Sequence, residues 1–128
     1  RLHRRLGLDP RCCAPVADPG AVWRISVRPS AGPAVVAAVS RAFDARWFMD
    51  WGGGLLWIAG PATGATHQAV IAAAGQGAWT LMRAPASLRA AVPVIPPEAP
   101  ALARIARKVK AAFDPKSILN SGRMVAGL

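Results

Sequence analysis

The sequence predicts an α+β fold built on a four-stranded antiparallel sheet, and three observations carry that expectation. Four short segments read as strands, the first alternating apolar and polar residues with the period of two that a half-buried strand requires. Two alanine-rich segments between them repeat apolar residues at helical spacing. A run of three glycines, Gly52 to Gly54, joins the middle strands, where a tight hairpin benefits from residues that take positive φ without a Cβ clash.

In the first strand, from Ala21, Trp23, Ile25 and Val27 alternate with Arg24, Ser26 and Arg28, and Pro29 closes it. Ser30 and Pro33 supply helix-start chemistry, and Val35, Val36, Val39 and Phe43 keep one helical face apolar to about Phe43. Arg46 to Trp51 form the second strand, with Trp47, Met49 and Trp51 on one side and Arg46, Phe48 and Asp50 on the other. Leu55 to Ala59 form the third, stopped by Gly60-Pro61. Thr63 or Thr66 caps a second helix that runs through Val70 and Ile71 to Gly75 or Gly77, and the strand Ala78 to Arg83 follows at once. This order, βαββαβ, is that of a ferredoxin-like sandwich, an antiparallel sheet with both helices on one face.

The flanks divide the chain further. Residues 1–20, with scattered basic residues, Pro10, Pro15 and Pro19, read as a linker or the tail of a preceding domain, so the chain is expected to be a piece of something longer. The sandwich occupies 21–84, a proline-rich extended spacer 85–100, and a C-terminal helix and tail 101–128. In that helix, from about Ala99 to Phe113, Leu102, Ile105, Val109 and Phe113 make an apolar stripe that must dock on something, while Arg104, Arg107, Lys108 and Lys110 lie away from it. Asp114-Pro115 then starts one short turn through Ile118 or Leu119.

Sixteen Lys and Arg against six Asp and Glu give a formal charge of +10, which favours an anionic partner: nucleic acid, an acidic protein surface, a phosphate-bearing cofactor or a carboxylate substrate. Cys12 and Cys13 are adjacent and have no further cysteine to build a framework, which fits free thiols in a reducing compartment. No run approaches the roughly 18 apolar residues of a membrane span, so a soluble cytoplasmic protein is expected, with membrane association through partners as the alternative. His3 and His67 lack companions at ligand spacing, which gives no basis for a metal site. Trp23, Trp47, Trp51, Trp57 and Trp79 are expected mostly in the core. Phosphate loops, dinucleotide fingerprints and hydrolase nucleophile elbows are not found.

The tail Phe113-Asp114-Pro115-Lys116-Ser117-Ile118-Leu119-Asn120-Ser121-Gly122-Arg123-Met124 resembles the closing signature of FAD-linked oxidases of the vanillyl-alcohol oxidase type. Two further stretches are similar to the FAD-binding subunits of glycolate oxidases: Val22-Trp23-Arg24-Ile25-Ser26-Val27-Arg28-Pro29, and Asp50-Trp51-Gly52-Gly53-Gly54-Leu55-Leu56-Trp57. The three stand in the family's order and spacing from about Ala21 to the end. Ser121 replaces the family's usual Pro, and Leu56 and Gly77 stand where related sequences often carry Arg or Gln and His.

This resemblance implies the cap domain and tail of a flavin-dependent 2-hydroxy-acid oxidoreductase. FAD would be held mainly by an upstream domain, glycolate or a similar 2-hydroxy acid would be the substrate, and a sister flavin subunit and an iron–sulfur subunit would be partners. The piece alone would be inactive. Asn120, Gly122 and Arg123 are the expected cofactor-binding residues, since the family's tail returns to the flavin domain; each also reads as part of a helix end and turn. Arg24 is the candidate for the substrate carboxylate, because its guanidinium would project from the open face of the sheet and can pair bidentately; a solvated or interface arginine is the alternative. Asp50 either orients Arg24 or Arg46 or stabilises its turn. No catalytic residue is assigned. The competing class is a nucleic-acid-binding module with the same element order, or a basic interaction domain; the aromatic consensus of an RNA-recognition motif is missing, so no nucleic-acid partner is expected.

Overall fold

The computed structural model describes residues 20–119. Strands β1 (Ala21–Ser26), β2 (Arg46–Asp50), β3 (Leu55–Gly60) and β4 (Ala78–Arg83) form one sheet in the order β2-β3-β1-β4, and all three pairings are antiparallel. Helix α1 (Gly32–Ala42) joins β1 to β2 and helix α2 (Gly64–Ala74) joins β3 to β4. The fold is therefore the α+β, ferredoxin-like sandwich that the alternation predicts. Ala21, Trp23 and Ile25 of β1, Leu56 and Ile58 of β3, and Trp79 and Leu81 of β4 meet Val35, Val36 and Val39 of α1 and Val70 and Ala74 of α2 in one core. Burying that apolar surface is the main force holding the layers together.

Local chemistry sets the element ends. Thr63 is the N-cap of α2: its hydroxyl accepts from the Thr66 backbone N–H at 3.1 Å, and Gly75 ends the helix with φ 55°. Strand β2 stops one residue before the expected Trp51, because Asp50 accepts from the Trp51 N–H at 2.8 Å and opens a 3-10 turn, Trp51–Gly53. This resolves the alternatives for Asp50 in favour of the turn.

The same turn touches α1. A Cβ at Gly32 would fall inside the contact radius of the Gly53 carbonyl oxygen, so backbone passes directly over backbone where the helix begins. Gly32→Ala is expected to cost about 1–3 kcal/mol by overpacking, read as a lower midpoint in urea denaturation with an unchanged slope.

The proline-rich stretch departs from expectation. Instead of an extended spacer throughout, it contains helix α3 (Ala86–Ala91), whose Leu88 is buried in the core, and Val92 and Val94 pack beside it. The Leu81 N–H donates to the Val94 carbonyl at 2.7 Å, so this segment covers the outer edge of β4. Pro85 is the N-cap of α3, and the apolar spacing Leu88, Val92 wins over the local proline signal.

Helix α4 (Pro100–Phe113) has no buried residue. Leu102, Ile105, Val109 and Phe113 all face solvent, Phe113 with 83% of its surface exposed. Among the described residues no helix is long and apolar enough to cross a membrane.

Candidate functional site on the open face of the sheet

With α1 and α2 on one side, the other face of the sheet is built from alternate residues whose pairing fixes their neighbours. Arg24 stands opposite Trp57 on one side and Thr80 on the other, and Trp57 stands opposite Phe48. Thr80, Arg24, Trp57 and Phe48 thus form one row across all four strands, with adjacent Cβ atoms about 4.5–5.5 Å apart. All four side chains are half-buried. In the next row, Arg83 and Arg46 flank Val22 and Ala59 on the two edge strands. On the other side, Ala78, Ser26, Leu55 and Asp50 make a third row.

The electrostatics are one-sided. Arg24, Arg46 and Arg83 all belong to this face, while its carboxylate, Asp50, is held at its own turn. No ion pair engages Arg24 among the described residues. A guanidinium in a half-buried setting with no carboxylate partner offers a two-pronged donor to an incoming carboxylate or phosphate.

Arg24 therefore lies where the alternation of β1 put it. Arg28 lies beyond the end of β1, which stops at Ser26, and is the N-cap of the 3-10 turn Pro29–Ala31. Of the three departures from the related sequences, Ser121 lies outside the described residues, and Leu56 and Gly77 do not reach the open face: Leu56 is fully buried under the helices, and a Cβ on Gly77 would strike Val27 and the Ser26 carbonyl. Asn120, Gly122 and Arg123 lie outside the described residues.

The tryptophans divide differently from the core expectation. Trp23 and Trp79 are buried, but Trp51 is 73% exposed, Trp47 is partly exposed at the edge strand, and Trp57 sits on the open face. Sequence reasoning missed Trp57, Phe48 and Thr80 as neighbours of Arg24. The parity of β3 holds the signal for Trp57, because Leu56 and Ile58 occupy the core side and leave residue 57 on the other.

His67 is part of the core, with no exposed surface; its Nδ1 accepts from Trp23 Nε1–H at 3.1 Å, and its ring meets Trp79 edge-on at 5.3 Å. Burial holds its pKa below the usual 6.5. Among the described residues no three His, Cys, Asp or Glu side chains group closely enough to hold a metal ion.

Past α4, Asp114 organises the start of the tail. Its buried carboxylate accepts from the Ile118 N–H at 3.0 Å and the Leu119 N–H at 2.9 Å and pairs with the Lys110 ammonium, which also donates to the Leu119 carbonyl at 2.7 Å. The Lys110 bond, followed by the Leu119 N–H, lowers the Asp114 pKa, so the carboxylate stays charged as a structural knot. No family model, no curated protein and no solved structure matches this chain.

Proposed function

We propose that this chain is the cap region and tail of a FAD-binding subunit of the glycolate oxidase kind, and that its open sheet face closes over a 2-hydroxy acid with Arg24 holding the carboxylate. The observation that carries the reading is the position of Arg24: central in an uncovered, half-apolar sheet face, flanked by Thr80 and Trp57, and free of any ion pair among the described residues. The resemblance of three segments to that family supports it from the sequence side.

The described residues include no glycine-rich phosphate loop, so they do not suit the FAD pyrophosphate; they suit the outer wall of a site whose cofactor is held by another domain of the same subunit. When bound there, FAD supplies the two-electron acceptor for the hydroxyl-bearing carbon. Arg24 then fixes the substrate by its carboxylate, Thr80 offers a hydroxyl beside it, and Trp57 and Phe48 exclude water from the apolar side. The exposed stripe of α4 from Leu102 to Phe113 is the surface that returns to the flavin domain, since burying four large apolar side chains would compensate for an otherwise solvated helix. Sister flavin and iron–sulfur subunits complete the complex in this reading.

The test is the complete subunit in its complex. Flavin absorbance should accompany it, and a 2-hydroxy acid should reduce an artificial dye. Arg24→Ala is expected to raise KM for glycolate about 10- to 100-fold with flavin content unchanged, and Arg24→Lys to recover part of this, because an ammonium gives one contact where the guanidinium gives two. An unchanged KM removes Arg24 from the site.

A second reading has one observation in its favour. The adjacent Trp57 and Phe48 beside Arg24 are also what a single-stranded nucleic acid would stack on. RNA affinity that falls steeply with salt, in a protein without flavin, would establish that reading over the oxidase one.

A further inference from the structure

The sheet has two outer edges, and the chain treats them differently. Along β4 the segment after α3 lies outside the strand, with the Leu81 N–H donating to the Val94 carbonyl. Along β2, among the described residues, no backbone group other than those of β3 bonds to residues 46–50. β2 follows β3 in unbroken register from Arg46 to Asp50 and contains no proline, lysine or bulge, devices that commonly keep a bare edge from pairing. Trp47 on this strand and Trp51 just past its end are both exposed. Arg46 and Asp50, at the two ends of the strand, are exposed as well and form no ion pair among the described residues. Four steps of strand hold them about 13 Å apart, too far to pair with each other within one chain.

We propose that the β2 edge is a homodimer interface, at which two copies of this chain pair antiparallel about Phe48 and join their sheets into one. The sequence Arg46-Trp47-Phe48-Met49-Asp50 is self-complementary when reversed. Arg46 then stands opposite the second copy's Asp50, Trp47 opposite its Met49, and Phe48 opposite its Phe48. Parity keeps the match on both sides of the sheet, because Arg46, Phe48 and Asp50 share the open face and Trp47 and Met49 the helix face. A two-fold axis at Phe48 makes the contact isologous, and the covered β4 edges end the assembly at two copies. Main-chain hydrogen bonds supply the attachment, as in strand addition. The two Arg46–Asp50 pairs are exposed, so they set register and orientation more than strength. Both open faces come to lie on one side of the joined sheet and neither is covered, so the dimer stands independently of the flavin-oxidase reading.

The test is analytical ultracentrifugation of the full-length protein over a series of concentrations, with circular dichroism to check that each variant is folded. The wild type is expected to be a concentration-dependent dimer. Arg46→Glu sets like charges opposite each other at both ends of the paired strands, as does Asp50→Lys, and each is expected to weaken the dimer about tenfold or more. Mixed in equal amounts, the two variants regain an opposite-charge pair at both ends, so a mixed dimer should form with close to wild-type affinity. Asp50 also holds its own turn, and Arg46 has no such role. Arg46→Lys, which keeps the charge, should keep the dimer, so the comparison with Arg46→Glu reads the pairing even where Asp50→Lys does not fold. A wild type that stays monomeric, whether its edge is bare or taken by a strand of another protein, overturns the proposal. So does a dimer that Arg46→Glu leaves unchanged, or a mixture of folded Arg46→Glu and Asp50→Lys proteins that remains monomeric.

Discussion

Replacing Trp23 by alanine is expected to destabilise the domain by about 3–5 kcal/mol, a large share of the roughly 5–15 kcal/mol that holds a small domain folded. Trp23 has no exposed surface. It lies at the centre of β1, between Ile58 of β3 and Leu81 of β4, with His67 of α2 above it. Those neighbours belong to a sheet ladder and a capped helix, which limits how far they can collapse into the space left behind. The cost therefore combines lost apolar burial, a residual cavity and a His67 acceptor without its donor. Thermal denaturation followed by far-UV circular dichroism should show Tm lower by about 15 °C or more. Trp23→Phe keeps most of the volume and loses the indole N–H, and should cost only about 1–2 kcal/mol. Equal losses for the two variants would mean that the hydrogen bond, rather than packing, dominates.

The legibility of this fold follows from where each signal originates. The Trp23, Ile25 alternation and the Val35, Val36, Val39 spacing are consequences of one buried face, so the sequence states them directly. Helix α3 was hidden because Pro93, Pro96 and Pro97 dominate the local composition, while the burial of Leu88 comes from a tertiary contact that no local pattern encodes. Arg24 was legible as an open-face residue from its parity alone. Its neighbours were not, because Trp57 and Thr80 join it through strand register, and register depends on the turn and on a pairing shift near Val22 that periodicity cannot supply. The aromatic character of Trp57 also misled: a large ring in a strand is usually core, and only the occupancy of the opposite side by Leu56 and Ile58 places it outward.

A double-mutant cycle on Trp23 and His67 is expected to be strongly non-additive. His67 Nδ1 accepts the indole N–H, so the neutral ring carries its proton on Nε2, and that buried atom has no partner among the described residues. His67→Leu removes one orphaned group and creates another, the Trp23 Nε1–H, and should cost about 1–3 kcal/mol. Combined with Trp23→Phe it removes both ends of the bond, and the pair should be less destabilising than the sum of the singles by about 1–2 kcal/mol. The burial of the same imidazole makes stability depend on pH. Burial lowers the folded-state pKa of His67 below 6.5, so the unfolded chain takes up the proton first as pH falls. The stabilisation is thus fully present above about pH 6.5 and is lost progressively below it, because a proton on Nδ1 turns the acceptor facing Trp23 into a donor. Urea unfolding across this range should show the wild type weakening with acid and His67→Leu weakening less. Additive singles, or an acid slope that survives His67→Leu unchanged, would show that the buried imidazole is not the group that couples this core to protons.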